Sequence, residues 1–490
     1  MSTIVNNRLI IQPVTRIEGH AKISIHLDDA GEVKSAQFHI TEFRGFEKLV
    51  EGRPFAEMPG IMSRVCGICP VSHILASSKA GDMLLGVEIP PAAEKQRRLV
   101  NYAQVLQSHA LSFFHLSSPD LLLGMDAPAE KRNIFGLLES DPEFLRRGIR
   151  LRQFGQRIIE IAGGKSVHPA CSGPGGVHAR FNIAQRDEIL SWIPEALGSV
   201  AVALDRLKSL LDGFASEIAH MGNFPSMFLG TVTADGGLEF YDGKLRLVDE
   251  TGNAVAENLD PREYFKYLGE AAEDYTFVKF PYYRPVGYPN GYYRVGPLAR
   301  LNAAKFAGTE RAGREMREFK QRGSSNGSGA VCESFHYHLA RVIEMLFAVE
   351  RIEELMHSPE LYEDKIHANA SLNRREGVGS CEAPRGTLFH HYWVDENGLI
   401  TKADLLIATG QNNQAMNRTV DQAAREFLKR IPPGTQPDEG ILNRIEAAIR
   451  CYDPCLSCST HALGQMPLVV EWIAPDGEVV GRTSRASPSS

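Results

Sequence analysis

The chain has 490 residues, 43% hydrophobic and 23% charged, enough apolar material for a large core that needs no disulfides. A formal charge of −7 with no long Lys/Arg run excludes a nucleic-acid footprint. No window approaches about 18 uninterrupted apolar residues, and the opening MSTIVNNRLIIQPVTR lacks the regions of a secretory signal. No membrane span and a cytoplasmic location are therefore the expectations.

From the N-terminus, residues 8–40 alternate apolar and polar side chains around DDAGE (28–32) and predict strands of a small sheet. Pro90 and Pro91 then open a helix in which Leu99, Tyr102, Leu106, Ala110, Phe113 and Leu116 recur at three- and four-residue steps, the mark of one buried face. Helical periodicity returns over 143–162, 188–220 and 334–357. Between the last two, 231–259 carries turn signals at ADGG, YDGK and ETGN and predicts a strand excursion. RGSSNGSGA, 322–330, reads as a surface loop. Long helices dominate, so the expected fold class is α+β and predominantly helical, a large helical body with small peripheral β-sheets.

The eight cysteines are Cys66, Cys69, Cys171, Cys332, Cys381, Cys451, Cys455 and Cys458, and in a long chain without a signal they read as free thiols. Four of them form two CxxC pairs, in RVCGICPVSH (64–73) and DPCLSCSTH (453–461). Two such pairs can converge four thiolates on one soft metal. A four-cysteine structural zinc site and an iron-sulfur cluster both use that donor set. Zinc ribbons, however, bring their pairs together within about 15 to 20 residues, whereas these lie at opposite ends of the chain. A single thioredoxin-like CxxC leaves the second copy unexplained. Each pair is followed by a histidine, His73 and His461, and nearby stand Glu18 in VTRIEGH, Glu47 in EFRGFEK and Arg385 in EAPRGTL. One buried Glu or Arg is ordinarily a structural ion pair; several beside thiolates shift the balance toward a reactive metal.

RVCGICPVSH and DPCLSCSTH resemble the first and last signature motifs of the large, catalytic subunit of nickel-iron hydrogenases, and PVTRIEGH, FRGFE and EAPRGTLFHHY resemble that family too. GICPVSH, FFHLSSPD, YRVGPLARLN, ATGQNN and CLSCSTHALGQMPL are similar to the cytoplasmic bidirectional group that exchanges electrons with NAD(H) or NADP(H). The resemblance implies that Cys66, Cys69, Cys455 and Cys458 bind nickel, with Cys69 and Cys458 bridging to an iron bearing CO and CN ligands. It implies that Pro384, Arg385 and Thr409 contact the cyanides. Glu47, the backbone carbonyl near Leu405 and His461 align with a site for Mg2+ or a similar divalent ion.

The activity implied is reversible heterolytic splitting of H2, with Cys455 as first proton acceptor, Glu18 passing the proton outward and Arg385 as a rival base. Implied partners are an iron-sulfur small subunit, flavin and iron-sulfur diaphorase subunits, a maturation protease and nickel-insertion factors. Residues 1–461 would form one functional body. Residues 462–490, with alternation around PDG, would form a hairpin removed on maturation. A regulatory H2 sensor acting through protein contacts is the alternative from another class. The quinone-binding relative in respiratory complex I lacks the four cysteines.

Overall fold

The computed structural model describes residues 2–5, 8–323, 329–429, 437–460, 468–473 and 479–485. His461 and the centre of the 322–330 loop lie outside these residues. Strands β1 (Ser2–Val5), β2 (Arg8–Ile11), β3 (Ala21–Leu27) and β4 (Val33–Ile40) form an antiparallel sheet in chain order; the last three fall where the alternation over 8–40 predicts strands, and β1 precedes that stretch. The DDAGE turn closes on itself: the Asp28 side chain accepts the N–H groups of Ala30 and Glu32, both at 2.9 Å, and Gly31 takes φ +81°.

The helical body follows. It contains α1 (Pro70–Leu85), α2 (Pro91–Ala110), α3 (Pro142–Gly163), α4 (Ile183–Leu210), the short α5 (Pro297–Ala303) and α6 (Tyr337–Met356). α2, α3, α4 and α6 pack in a closed ring, each against the next. Asn182 starts α4 with a reciprocal cap to Gln185, and Asp141 caps α3.

α2 departs from the expected single buried face. Every residue from Leu99 to Ala110 is buried, because α2 also touches α1 and the strands beyond it. Its polar residues survive there by bonding backbone: Asn101 donates to the Phe240 carbonyl at 2.8 Å, and Gln104 and Gln107 both donate to the Ile68 carbonyl at 2.8 and 2.7 Å. The helix then runs into a π-helical segment, Leu111–Ser117.

The strand excursion is β5 (Met227–Val232), β6 (Lys244–Val248) and β7 (Ala254–Leu259), with β8 (Tyr293–Arg294) pairing parallel to β5. β9 (Glu376–Ala383), β10 (Gly386–Val394) and β11 (Ile400–Leu406) form an antiparallel meander. β9 lies flush on α1. A Cβ on Gly377 or Gly379 would sit 2.3 and 1.9 Å from the carbonyl oxygens of Ala80 and Ala76. At the C-terminus, β12 (Leu468–Ile473) and β13 (Val479–Arg485) pair as the expected hairpin. No helix among the described residues is long and apolar enough to cross a membrane. Among the described residues one apolar core runs from Leu9 in β2 to Cys458, and a second, smaller one joins β5, β6 and β10 through Leu229, Leu245 and Phe389.

Five arginines, Arg97, Arg294, Arg300, Arg341 and Arg450, are fully buried, and each donates to main-chain carbonyls of a distant segment. Loops enclosed by the fold have carbonyls that no ladder satisfies, and the five-donor guanidinium fills that need.

Acid should unfold the chain early. Burial pushes the imidazoles of His109 and His336 down to about 4 and that of His338 to about 3. The unfolded chain, near the ordinary 6.5, then binds protons that the folded chain refuses. Stability is complete above about 6.5 and falls as pH drops toward 4, by up to about 1.4 kcal/mol per pH unit for each histidine. The thermal midpoint should therefore hold steady near neutrality and decline steadily below pH 6.5. A flat midpoint down to pH 5 would mean that these imidazoles protonate within the fold.

Candidate metal centre

α1 starts at the first CxxC: Cys69 is its N-cap and Pro70 its first residue. The loop before it is held by α2, whose Gln104 and Gln107 grip the Ile68 carbonyl between the two cysteines, while the Val71 N–H donates back to Gln104 at 3.2 Å. Cys66 Sγ accepts the N–H groups of Ile68 and Cys69, both at 3.2 Å. The second pair sits where a helix ending at Arg450 gives way to a short turn, Leu456–Ser459. Arg341 donates to the Cys451 carbonyl, Arg385 Nε to the Asp453 carbonyl, and the Cys455 N–H to Thr409 Oγ1 at 3.0 Å. Glu18 pairs backbone to backbone with Cys455, and its carboxylate accepts both the Ser457 N–H, at 3.2 Å, and the Ser457 hydroxyl.

These anchors bring the pairs together. Cys66 Sγ lies 3.3 Å from Cys455 Sγ and Cys69 Sγ 3.7 Å from Cys458 Sγ; all four sulfurs fall within 4.8 Å of one another and are buried. No other group of three or more metal-binding side chains converges like this among the described residues. All eight cysteines are free thiols, as expected. Hydrogen bonds from Cys455, Cys458 and Cys66 hold the Cys69 thiol well below its ordinary pKa, whereas burial pushes Cys455 and Cys458 well above theirs. A cation that takes all four as thiolates must displace protons, so loading strengthens as pH rises.

One flank of the cluster meets a small pocket lined by Cys69, Cys455 and Cys458 together with His73, Pro384, Arg385 and Thr409. The flank suits an anionic or acceptor ligand. Arg385 Nη1 is buried without a hydrogen-bond partner, and the Thr409 hydroxyl, already accepting from Cys455, still has a proton to donate. Arg385 stays charged: burial opposes it, but Asp453, with a carboxylate oxygen 3.1 Å from the guanidinium, and the sulfurs of Cys455, Cys69 and Cys66 raise its pKa well above the ordinary value. The residues present fit a nickel-iron centre with small anionic ligands.

The family model matching residues 44–130 and 234–461 is that of nickel-dependent hydrogenases, and one described as HoxL-like matches residues 8–43. The chain belongs to the nickel-dependent hydrogenases. It is 43% identical to the NAD-reducing hydrogenase HoxS subunit beta of Cupriavidus necator, over 98% of this chain and all of that one. It is 38% identical to a subunit of the F420-non-reducing hydrogenase of Methanothermobacter thermautotrophicus, over 97% of this chain and 99% of that one. The structure of an NAD+-reducing [NiFe]-hydrogenase in the H2-reduced state superposes with a TM-score of 0.88 at 44% identity, covering 94% of this chain and all of that one. The helical body with small sheets is thus the hydrogenase large-subunit fold.

Of the remaining site residues proposed from sequence, Glu47 lies buried in a short helix, Phe46–Leu49, packed on β11, the strand that contains Leu405. Sequence reasoning missed the charged surroundings of this region. Lys279 bonds Glu270 at 2.9 Å, and its ammonium is held above its ordinary pKa, against burial, by Glu270, Asp404 and Glu47. It also missed a buried chain from the hydrogenase centre: His73 Nδ1 to His390 Nε2 at 3.0 Å, His390 Nδ1 to Tyr392 at 2.7 Å, and Tyr392 to Ser77 at 3.0 Å. The signal was present in LFHHYW, where β10 turns His390 and Tyr392 to one face.

Proposed function

We propose that this chain is the catalytic subunit of a cytoplasmic hydrogenase that couples H2 to NAD(P)+. The observation that carries this reading is the open-flanked cluster of four buried thiols in a chain 43% identical, nearly end to end, to part of an NAD-reducing hydrogenase. A nickel-iron centre with CO and CN ligands, when bound, supplies reversible heterolytic cleavage of H2. Cys66, Cys69, Cys455 and Cys458 would hold that centre, with Cys69, Cys455 and Cys458 facing the pocket. Pro384, Arg385 and Thr409 line the pocket for the cyanides, where the unpartnered Arg385 Nη1 is a ready donor.

Protons leave through this chain's own residues. Cys455 Sγ accepts the proton and Glu18 takes it onward; the Glu18 backbone pairs with that of Cys455 and its carboxylate accepts from the Ser457 N–H, which keeps this acid beside the last CxxC. Arg385 serves as donor rather than base, because its guanidinium is pinned in the charged form. Glu47, the Leu405 carbonyl and His461 would hold Mg2+ or a similar ion, an oxygen-rich set suited to a hard cation. Electrons pass first to a small iron-sulfur subunit, then to a flavin-containing diaphorase. A protease removes residues 462–490 after nickel-insertion factors load the site.

Elemental analysis, infrared spectroscopy and intact mass, measured on the chain purified with its native partners, test these readings together. The expected result is stoichiometric nickel and iron, carbonyl and cyanide stretches, a chain ending at His461, and H2-dependent NAD(P)+ reduction. Zinc without such bands, from cells able to mature hydrogenases, would return the four cysteines to a structural role. A full-length, nickel-loaded chain with full H2 evolution would remove the processing step.

A further inference from the structure

The turn that carries Arg385 is gripped from behind by a charged cluster that no step above uses. Arg300, on α5, has a fully buried side chain, as do its partners Glu344 and Glu382. Its Nε and Nη2 donate to the two oxygens of Glu344 at 2.7 and 2.6 Å, and Nη1 donates to Glu382 at 2.8 Å. The two hydrogens left on Nη1 and Nη2 go to the carbonyls of Ala383, at 2.8 Å, and Pro384, at 3.1 Å. All five guanidinium donors are thereby committed. His109 braces Glu344 at 2.8 Å, and the second oxygen of Glu382 accepts from the Thr231 N–H and hydroxyl and from the Thr387 hydroxyl.

We propose that Arg300 is a positioning residue of the metal centre, fixing the Pro384–Arg385 turn so that the Arg385 donors face the cavity. This rests on the hydrogenase reading above. Ala383 and Pro384 are the two residues immediately before Arg385, so their carbonyls set its starting point and direction. The same helix closes the other side of the turn. α5 is preceded by Gly296, at φ +94°, whose absent Cβ would lie 2.7 Å from the Arg385 carbonyl oxygen. A cluster of buried charges is a weak source of stability compared with apolar packing. What it supplies is a fixed geometry: a planar fork with every donor used can hold two carbonyls in only one arrangement. Lysine at this position keeps the charge and loses the fork.

The test is Arg300→Lys in the holoenzyme with its partner subunits. The expected variant retains nickel and iron, shows cyanide stretches displaced more than the carbonyl stretch, exchanges the amides of 383–388 faster, and loses kcat more than it alters KM for H2. A fall of about 10- to 100-fold is the scale for residues that orient metal-site groups from behind. Metal-loaded Arg300→Lys with parental bands, exchange and kcat would overturn the proposal. Should that variant fail to fold, Thr231→Val decides: it removes one donor to Glu382 from a strand that does not touch the cavity, and must shift the cyanide bands in a smaller degree; unshifted bands would overturn the proposal. If the parent enzyme itself lacks carbonyl and cyanide bands, the hydrogenase reading fails, an outcome distinct from parental bands in the variant.

Discussion

Cys455→Ser yields a folded chain without stoichiometric nickel, turning over H2 at less than about 1% of the parental rate, since even the outer partners of metal ligands are worth about 10- to 100-fold. The side chain is fully enclosed and sits 3.3 Å from Cys66 Sγ, so no neighbouring donor can replace it. Serine presents a hard hydroxyl that keeps its proton at neutral pH, where the site needs a soft anion. The backbone has no cause to move, because the Cys455 N–H keeps its bond to Thr409. Cys171→Ser supplies the contrast: that thiol is buried but lies outside the four-sulfur cluster, so its loss should leave nickel in place. Full nickel in Cys455→Ser, measured by elemental analysis, would remove that sulfur from the ligand set.

The second large effect belongs to Glu18→Gln. Nickel and iron remain, while H2 oxidation and H/D exchange fall by about 10²- to 10⁴-fold, the range for a positioned acid–base group. Glutamine preserves the local structure, since its oxygen still accepts the Ser457 N–H and its amide can donate to the Ser457 hydroxyl, which now acts as acceptor. What disappears is a group that can take up and release a proton next to the last CxxC. Parental rates of both oxidation and exchange in the metal-loaded variant would route the proton elsewhere.

Much of this centre could be read from the chain because its chemistry is local. CGIC and CLSC each declare a paired donor by spacing, and Gly31 or Asp28 declares a turn within five residues. The antiparallel sheet at the N-terminus and the strand excursion at 231–259 follow from alternation and turn residues that act over the same short range. α2 was harder. Its polar residues make a one-sided pattern on paper, but Asn101, Gln104 and Gln107 face loop carbonyls contributed by residues 68 and 240, which no periodicity can reveal. The five buried arginines were missed for the same reason: an arginine written among charged neighbours reads as surface until the carbonyls it serves have been brought to it. Asp453, His390 and Glu344 owe their surroundings to contacts between distant segments.

The two halves of the sulfur cluster lie 389 positions apart, between Cys66 and Cys455. At about 5 to 20 residues per second, a ribosome takes roughly 20 to 80 seconds to travel from one to the other. For that interval the early thiols exist without the late ones, so the four-sulfur site cannot form until the second pair has been made, and the first pair must stay reduced and unpaired until then.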